Sequence, residues 1–302
     1  MDNRRQFIQK NIAVMIGAPV INNLKQYSSN YGVIPKMDCF ATNWGFQGDM
    51  MAFCGEAKKA GYDGIEVWAP LEEKDQDLLK AAVDKFELKL GLLTGNSGAD
   101  FEQHLESFER SLNRAVSLKP QFINCHSGKD HFSTDQNVAF IEMAFDKEAQ
   151  SGIPIYHETH RGRMMFSTTG AENFLKKYAN LKFTLDISHW CCVHESLLAD
   201  QEDRVDLVLN RTKHVHARIG FQEGPQIPDP RDDQYKSAIQ AHFTWWDKVV
   251  TMLAENNETI TMTAEFGPPG YMWTLPYTKA PVANNWDINL AMLQIWKDRY
   301  TK

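Results

Sequence analysis

The feature that most constrains the fold of this chain is a strict alternation of short β-rich runs with amphipathic helical patterns, which begins near Lys36. Most of the β-rich runs are continuously apolar, as strands are when both faces of a parallel sheet are covered. There are eight of them: "KMDCFATN", "GIEVWA", "LKLGLLTG", "QFINCHSG", "IPIYHETH", "LKFTLDISH", "KHVHARIG" and "ITMTAEFG". Eight such repeats predict closure into a single-domain (β/α)₈ TIM barrel over residues 36–302.

Helical patterns separate these runs, and several of them end in Gly or Asn, as helices often do. The main alternative to a barrel is an open, doubly wound sheet. That fold is typically marked by a G-x-G-x-x-G turn after its first strand, whereas "ATNWGFQGD" stands there. No Pro/Ser/Gly-rich linker divides the chain into two domains. The chain has 302 residues, and one barrel typically needs about 250.

Charge and cysteine content narrow the set of partners. The formal net charge is −7, with acidic and basic residues interspersed. Such a chain offers no basic stripe for a phosphate backbone, so we expect no nucleic acid partner. The five cysteines form no even framework and no C-x-x-C pair, which predicts mostly buried small side chains. The oligomeric state stays open, and a homo-oligomer is one option.

The N-terminus carries a basic pair followed by a modest apolar run. Arg4 and Arg5 precede residues 12–21, a stretch far too short to span a bilayer. The pattern resembles a twin-arginine export signal, although its lysine falls one place late and no A-x-A site follows. We expect residues 1–30 to be an export signal or an N-terminal extension packed outside the barrel. An export signal implies an exported, periplasmic protein, and a plain extension implies a cytoplasmic one.

Metal-competent side chains end the last four predicted strands. Because the carboxyl ends of barrel strands face the active site, polar residues there need a functional explanation. Three carboxylates and one imidazole form a mixed oxygen and nitrogen set that suits Mn²⁺, Mg²⁺, Co²⁺ or Zn²⁺. Taken singly, each acid could instead pair with a neighbouring Arg at the barrel mouth. The four residues are Glu158, Asp186, His216 and Glu265.

Two histidines in the seventh predicted strand compete for one of these roles. His214 and His216 are two residues apart, so they face the same way along a strand. We choose His216 as the ligand because it lies nearer the carboxyl end. His214 is expected to be packed in the barrel interior.

Aromatic and cationic residues lie just beyond several strand ends. Trp44 and Trp68 follow the first two strands and could form apolar walls against a sugar ring, or pack at the barrel rim. Arg161 and Arg163 follow the fifth strand and could hold a phosphate or carboxylate by bidentate hydrogen bonds. Pairing of both arginines with the acids of the loop 223–233 is the favoured alternative.

The order Glu, Asp, His, Glu on the last four strands, with "DISH" supplying Asp-x-x-His, resembles the xylose isomerase-like superfamily of sugar and sugar phosphate isomerases and epimerases. The likeness covers roughly residues 36–300. It implies a divalent-metal TIM barrel in which His189 contacts a substrate oxygen and Arg218 lies near the position of a substrate-binding Arg. The metal ligands that it implies are Glu158, Asp186, His216 and Glu265.

The pattern departs from the resemblance at one position. Ketose 3-epimerases usually carry a second Glu six residues after the first, and here that position is Met164. The departure weakens a strict ketose 3-epimerase assignment. The segment "HETHRGR" is more similar to the poorly characterised branch of the superfamily.

The predicted chemistry is removal of a proton from a carbon next to a carbonyl. A divalent ion, Mn²⁺ before the others, would polarise the carbonyl, and a carboxylate would take and return the proton. We assign Glu158 and Glu265 as candidate catalytic bases. His126, at the end of "INCHSG", joins His189 and Arg218 as a candidate contact for the oxygens of a small carbohydrate substrate.

Four functions remain to be compared. The first is a metal-dependent sugar isomerase or epimerase. The second keeps the proton abstraction but expels a leaving group, giving a lyase or dehydratase that acts on a keto-sugar or 3-keto-glycoside. An abasic-site endonuclease would need more metal-binding histidines and a basic surface, which this acidic chain does not offer. A barrel that only binds sugar is the non-enzymatic alternative.

Overall fold

Parallel strands close into a single barrel in the computed structural model, which describes residues 35–301. Each strand pairs with the next, and the eighth pairs with the first through the register Met37 to Ile260. This confirms the predicted TIM barrel and excludes the open sheet. The predicted export signal falls outside the described residues. The strands are β1 Met37–Ala41, β2 Gly64–Trp68, β3 Lys89–Gly95, β4 Phe122–His126, β5 Ile155–Glu158, β6 Phe183–Leu185, β7 Thr212–Ala217 and β8 Ile260–Ala264.

Helices follow the strands and cover the outside of the barrel. Several begin at a side chain that caps free backbone N–H groups, as Ser133 does in a capping box with Gln136. The described helices are α1 Met50–Ala60, α2 Glu73–Phe86, α3 Phe101–Ser117, α4 Thr134–Ser151, α5 Thr168–Lys177, α6 Ile187–Val193, α7 Glu202–Leu209, α8 Lys236–Glu255 and α9 Asn285–Tyr300. Among these helices, none is long and apolar enough to cross a membrane.

The sequence prediction is wrong about the segment that follows β6. The run "LKFTLDISH" was expected to be one strand, but the strand ends at Leu185 and α6 begins at Ile187. The side chain of Asp186 accepts a hydrogen bond from the Ser188 N–H and so caps the new helix. Asp186 therefore lies at the junction of strand and helix. Helix α7 was not predicted either.

Aromatic rings fill the lower part of the barrel interior. The Phe40 and Phe122 rings meet edge to face at 5.3 Å, and the His214 ring lies 4.4 Å from that of Phe122. All three side chains are fully or almost fully buried. His214 is thus packed in the interior, as expected. The apolar floor ends at His214, and the polar groups of the candidate site begin above it.

The cysteines behave as small core side chains. Cys39, Cys54, Cys125 and Cys191 are buried, Cys192 is partly exposed, and all five are free thiols. Burial raises the pKa of the Cys125 thiol to about 12, which keeps that group protonated and unreactive.

Candidate active site

The structure brings the four predicted ligands together at the carboxyl ends of β5 to β8. Glu158, Asp186 and His216 each place one ligand atom within 4.8 Å of the others. Glu265 joins them, because its Oε2 lies 2.9 Å from Nδ1 of His216. All four side chains are buried. Four separate strand ends therefore meet around one point.

The donor atoms of this cluster fit a divalent cation. His216 Nδ1 and Glu265 Oε2 are buried, and neither has a hydrogen-bond partner among the described residues. Two buried acceptors that face each other at 2.9 Å need a proton or a cation between them. Three carboxylates and one imidazole are the ligand types used by Mn²⁺, Mg²⁺ and Zn²⁺ sites.

Glu66, on β2, is a member of the site that the sequence analysis missed. Its Oε2 lies 3.0 Å from Nε2 of His216 and 3.1 Å from Nε2 of His214, and the Thr263 hydroxyl also donates to it. Burial alone would raise the pKa of Glu66, but His216 and His214 hold it below its ordinary value. An ionised Glu66 fixes the proton on His216 Nε2 and leaves Nδ1 to face the cluster.

His216 carries the opposite pKa perturbation. Burial alone would lower its pKa, but the attraction of Glu265, Glu66 and Glu158 raises the pKa well above the ordinary value. In the absence of a cation, a proton on Nδ1 therefore balances part of the carboxylate charge. A metal ion bound at Nδ1 would replace that proton.

Arg218 lies against a predicted metal ligand. Its guanidinium donates to the carboxylate of Asp186 and, at 2.9 Å, to Nε2 of His189. It also lies 3.6 Å from the Glu265 carboxylate. Burial raises the pKa of Asp186 to about 6, and Arg218 opposes that rise. Arg218 thus places a positive charge beside the carboxylates of the cluster, and it also lines the adjoining cavity.

Three imidazole rings lie side by side next to the cluster. The His160 ring is 4.4 Å from that of His126 and 3.9 Å from that of His189. Burial lowers the pKa of His160 and of His189 well below the ordinary value, so both rings are neutral. His126 Nε2 lies 2.8 Å from Oε2 of Glu158, and Asn124 donates to the same oxygen at 2.7 Å.

The cluster opens into a small cavity of about 220 Å³ at the barrel mouth. The predicted substrate contacts His126 and Arg218 line it, but His189 does not; His160, whose ring lies 3.9 Å from that of His189, lines it instead. Trp68 is 52% exposed and places its ring 5.1 Å from that of His126. The lining residues are Thr42, Trp44, Trp68, Leu93, His126, Glu158, His160, Arg218, Glu265 and Tyr271.

Trp44 is held at the cavity wall by its neighbours. Its ring meets that of Tyr271 edge to face at 4.9 Å. Gly267, three residues after β8, lies so close beneath the indole that a Cβ there would meet it at 2.5 Å. Trp44 and Trp68 therefore both face the cavity, in addition to packing at the rim.

The favoured pairing of Arg161 and Arg163 with the acids of loop 223–233 is wrong. Neither arginine forms an ion pair with any part of the chain that the structure describes, and Asp229 of that loop pairs with Arg231 at 2.6 Å. A turn closed by the hydrogen bond from Arg163 N–H to the His160 carbonyl keeps both side chains near β5. The Arg161 guanidinium stacks on the Tyr271 ring at 5.1 Å.

Two of the missed residues had a signal in the sequence. Glu66 is a lone charge inside the apolar run "GIEVW", and His160 follows Glu158 at a spacing of two. A charge inside a buried strand needs a partner, which predicts a polar interior. Tyr271, by contrast, comes from the loop after β8 and follows no periodic pattern.

A closed (β/α)₈ barrel with a carboxylate and imidazole cluster at its C-terminal mouth defines a class of metal-competent TIM-barrel proteins. The chain belongs to the xylose isomerase-like TIM barrel family, whose model matches residues 54–281. No curated protein matches it in sequence.

Several solved structures are similar to this fold. The 3-keto-D-glucoside 4-epimerase of E. coli has a TM-score of 0.56 at 15% identity over 87% of this chain and 100% of its own. A D-tagatose 3-epimerase-like protein has a TM-score of 0.57 at 14% identity over 87% and 97%. A probable 3-DHS dehydratase of Bacillus anthracis has a TM-score of 0.53 at 15% identity over 87% and 100%. At such identities the likeness shows the fold alone.

Met164 occupies the position where ketose 3-epimerases usually carry a second Glu. Its side chain is buried in the hydrophobic core and does not line the cavity. The structure therefore offers no carboxylate at that point of the loop after β5.

Proposed function

We propose that this protein is a divalent-metal-dependent isomerase or epimerase of a sugar or sugar derivative. The observation that carries the proposal is the pair of buried carboxylates, Glu158 and Glu265, which meet Asp186 and His216 and also line the cavity. A carboxylate that both faces a metal site and borders a substrate cavity can take a proton from a carbon next to a carbonyl.

The names of the similar structures support this choice. Two of them are an epimerase of a 3-keto-D-glucoside and a D-tagatose 3-epimerase-like protein, and the third is a probable dehydratase. Epimerisation beside a carbonyl and loss of water beside a carbonyl can begin with the same proton removal. The proposed activity is thus compatible with the range of reactions named for this fold.

The cation would be held by Glu158, Asp186, His216 and Glu265. When bound, it supplies Lewis-acid polarisation of a substrate carbonyl and of an adjacent hydroxyl. The chain itself fixes the ligands: Glu66 sets the tautomer of His216, and the Ser188 hydroxyl donates to Asp186.

The two glutamates differ in their fitness as bases. Burial alone would raise the pKa of Glu158, but His126 and His216 hold it well below the ordinary value. That oxygen also accepts hydrogen bonds from Asn124 and His126. Glu265 Oε2 faces His216, whereas its Oε1 accepts no hydrogen bond from the described residues, and Glu265 lies at the cavity wall. We therefore assign the first proton removal to Glu265 and the return of a proton to the Glu158 side.

The cavity walls offer both apolar and polar contacts to a sugar. Trp44, Trp68 and Tyr271 present aromatic surface to the ligand, which suits the CH-rich face of a sugar ring. Arg218 and His126 offer polar contacts for its oxygens. The small volume of the cavity favours a single ring at the reacting position.

A lyase or dehydratase is the second candidate, and Met164 favours it. With an apolar side chain in place of the second Glu, one fewer carboxylate is available to return a proton. Expulsion of a leaving group from the neighbouring carbon then competes with reprotonation. The lyase reaction would use the same carboxylates and the same cation for proton removal as the epimerase reaction.

A substrate panel tests the proposal. Protein loaded with Mn²⁺ is incubated in D₂O with free ketoses, sugar phosphates, 3-keto-glycosides and 3-keto-glycoside acids, and the products are followed by NMR. We expect deuterium on a carbon next to the carbonyl of at least one compound, with a new epimer or isomer. Deuterium with an unsaturated product would identify a lyase instead. No exchange in any compound, from protein shown to contain metal, would refute both.

A further inference from the structure

A second cavity of about 460 Å³ adjoins the candidate active site, and Trp68 lines both. Three arginines and three serines line it, and no acidic residue does, although the whole chain has a net charge of −7. We call it the arginine cleft. Its lining residues are Trp68, Ala69, Leu71, Gly95, Asn96, Ser97, Ser107, Arg110, Ser111, Arg114 and Arg163.

Arg163 is the central observation. Its side chain is partly buried, and within residues 35–301 it forms no ion pair and no hydrogen bond. Partial burial of an unpaired charge is costly, and guanidinium groups are normally matched by carboxylates or other oxyanions. Burial lowers the pKa of Arg163, and the attraction of the more distant Glu158, Asp130 and Tyr271 offsets only part of that effect.

Two arginines approach from the other wall of the cleft. Arg110 and Arg114 lie four residues apart on helix α3, so they share one face of that helix. Arg110 has a loose ion pair with Glu106 at 3.5 Å, and both of these side chains are exposed. Arg114 has no ion pair in the described part of the chain. An exposed pair of this kind contributes little and would yield to a better acceptor.

A neutral polar group completes the cleft. Asn96 is 8% exposed and lines the wall, and its Oδ1 is buried without a hydrogen-bond partner among residues 35–301. Its Nδ2 lies 2.7 Å from Nδ1 of His104, so the orientation of the amide is fixed from behind. Asn96 thus adds a fixed, uncharged polar side chain to a wall that holds no acidic residue.

We propose that the arginine cleft binds an anionic group of the substrate, a phosphate, sulfate or carboxylate, while the reacting ring occupies the cavity on the other side of Trp68. The placement of the ring rests on the proposed function; the anion site does not. Planar guanidinium groups match such oxyanions by two parallel hydrogen bonds. The substrates would then be anionic derivatives of keto-sugars, and neutral ketoses would bind less well.

The anion site is tested without any substrate. The full chain, stripped of metal with EDTA, is titrated calorimetrically with inorganic phosphate and with inorganic sulfate at low ionic strength. Arg163→Gln and Arg114→Gln should each weaken anion binding at least about tenfold, the equivalent of about 1.4 kcal/mol. The matched control is Arg204→Gln, because Arg204 pairs with Glu172 outside the cleft; it should leave the affinity unchanged.

Three results would overturn the proposal. One is phosphate and sulfate affinity that is equal in the wild type and in Arg163→Gln, with both proteins folded by circular dichroism. The other is loss of anion binding in Arg211→Gln alone, because Arg211 lines a different cavity together with Lys182 and Lys213. Weak binding of both anions that ignores every arginine also contradicts the proposal.

A substrate comparison separates this proposal from the proposed function. Sugar phosphates, sugar sulfates and uronates are compared with neutral ketoses in the metal-loaded protein, which identifies the anion. Arg163→Gln should raise KM for the anionic compounds about tenfold or more and leave KM for neutral ones unchanged. Equal changes for both classes would contradict the cleft and leave the enzyme function standing. Phosphate binding that depends on Arg163, without proton exchange in any sugar, would support the cleft and contradict the enzyme function.

Discussion

Glu66 Oε2 lies 3.0 Å from His216 Nε2 inside the barrel, and this contact determines which nitrogen of His216 faces the candidate metal centre. A carboxylate behind a metal-binding imidazole fixes the tautomer and raises the basicity of the ligand. Glu66 is also in contact with His214 and Thr263, so its position is set from three sides. Glu66 lies on β2, whereas the ligand that it supports, His216, lies on β7.

We expect Glu66→Gln to weaken Mn²⁺ binding by about 10- to 100-fold, the usual cost of losing such a partner. Gln keeps the shape but removes the charge that holds the proton on Nε2. Calorimetric titration with Mn²⁺ measures the affinity, and the electron paramagnetic resonance spectrum of the bound ion reports its ligand field. Glu56→Gln, an exposed change in α1, is the control. Unchanged affinity and spectrum would show that Glu66 only packs the interior.

Arg218 and Asp186 form a buried ion pair, so removal of Arg218 leaves an unpaired carboxylate. Breaking such a pair typically costs about 3 to 5 kcal/mol. We expect Arg218→Met to lower the melting temperature of the metal-free protein, and Mn²⁺ to restore more of it than in the wild type, because the cation replaces the lost positive charge. Differential scanning calorimetry of both proteins, with and without Mn²⁺, measures the metal-induced shift in melting temperature. An equal metal-induced shift in both proteins would show that Asp186 is not a ligand.

Acid should destabilise the fold partly through His242 in α8. Its Nδ1 donates to the Ala238 carbonyl and its Nε2 accepts from the Gly220 N–H, so the folded state holds a neutral ring. Burial lowers its pKa from 6.5 to about 4. Between these two values the unfolded chain binds a proton that the folded chain does not, so stability falls as pH falls, by about 3 kcal/mol from this residue.

The variant His242→Gln tests this origin, because Gln offers a donor and an acceptor but does not titrate. Chemical denaturation at a series of pH values from 7 to 4 gives the free energy of unfolding. We expect a shallower loss of stability below pH 6.5 in the variant. Parallel curves for the two proteins would place the acid sensitivity in other groups, such as His157, whose pKa burial also lowers to about 4.

Strand β1 begins at Met37 and pairs with β8, so the barrel closes within the described residues. We predict that deletion of residues 1–30 changes the melting temperature by no more than about 2 °C. The deletion variant and the full chain are compared by circular dichroism. A much larger decrease would show that the segment packs into the barrel.

The barrel and the ligand positions were predictable for the same physical reason. A parallel sheet covered on both faces needs continuous apolar strands, and a polar residue at the end of such a run stands out, as Glu158 and Glu265 do. Asp186 also stood out, although its strand is only three residues long and "ISH" belongs to a helix. Local propensity did not reveal that change because Ile and Ser occur in both elements.

Contacts between distant strands were beyond the sequence. Glu66 meets His216 across the barrel, and no local pattern encodes which interior residues face each other. The placement of Tyr271 depends on the loop after β8, and that of Arg163 on a turn after β5. Such contacts follow from barrel closure and loop geometry, which periodicity does not describe.

Carbon proton exchange shows whether Glu265 and a bound cation together remove the proton. With the best compound of the substrate panel, deuterium incorporation is measured for metal-free wild type, Mn²⁺-loaded wild type and Glu265→Gln re-supplied with saturating Mn²⁺, with metal content determined in each sample. We expect exchange only with metal present, and a loss of at least about 10²-fold in Glu265→Gln at full metal occupancy. Full exchange in the metal-free protein, or full activity of metal-loaded Glu265→Gln, would contradict it.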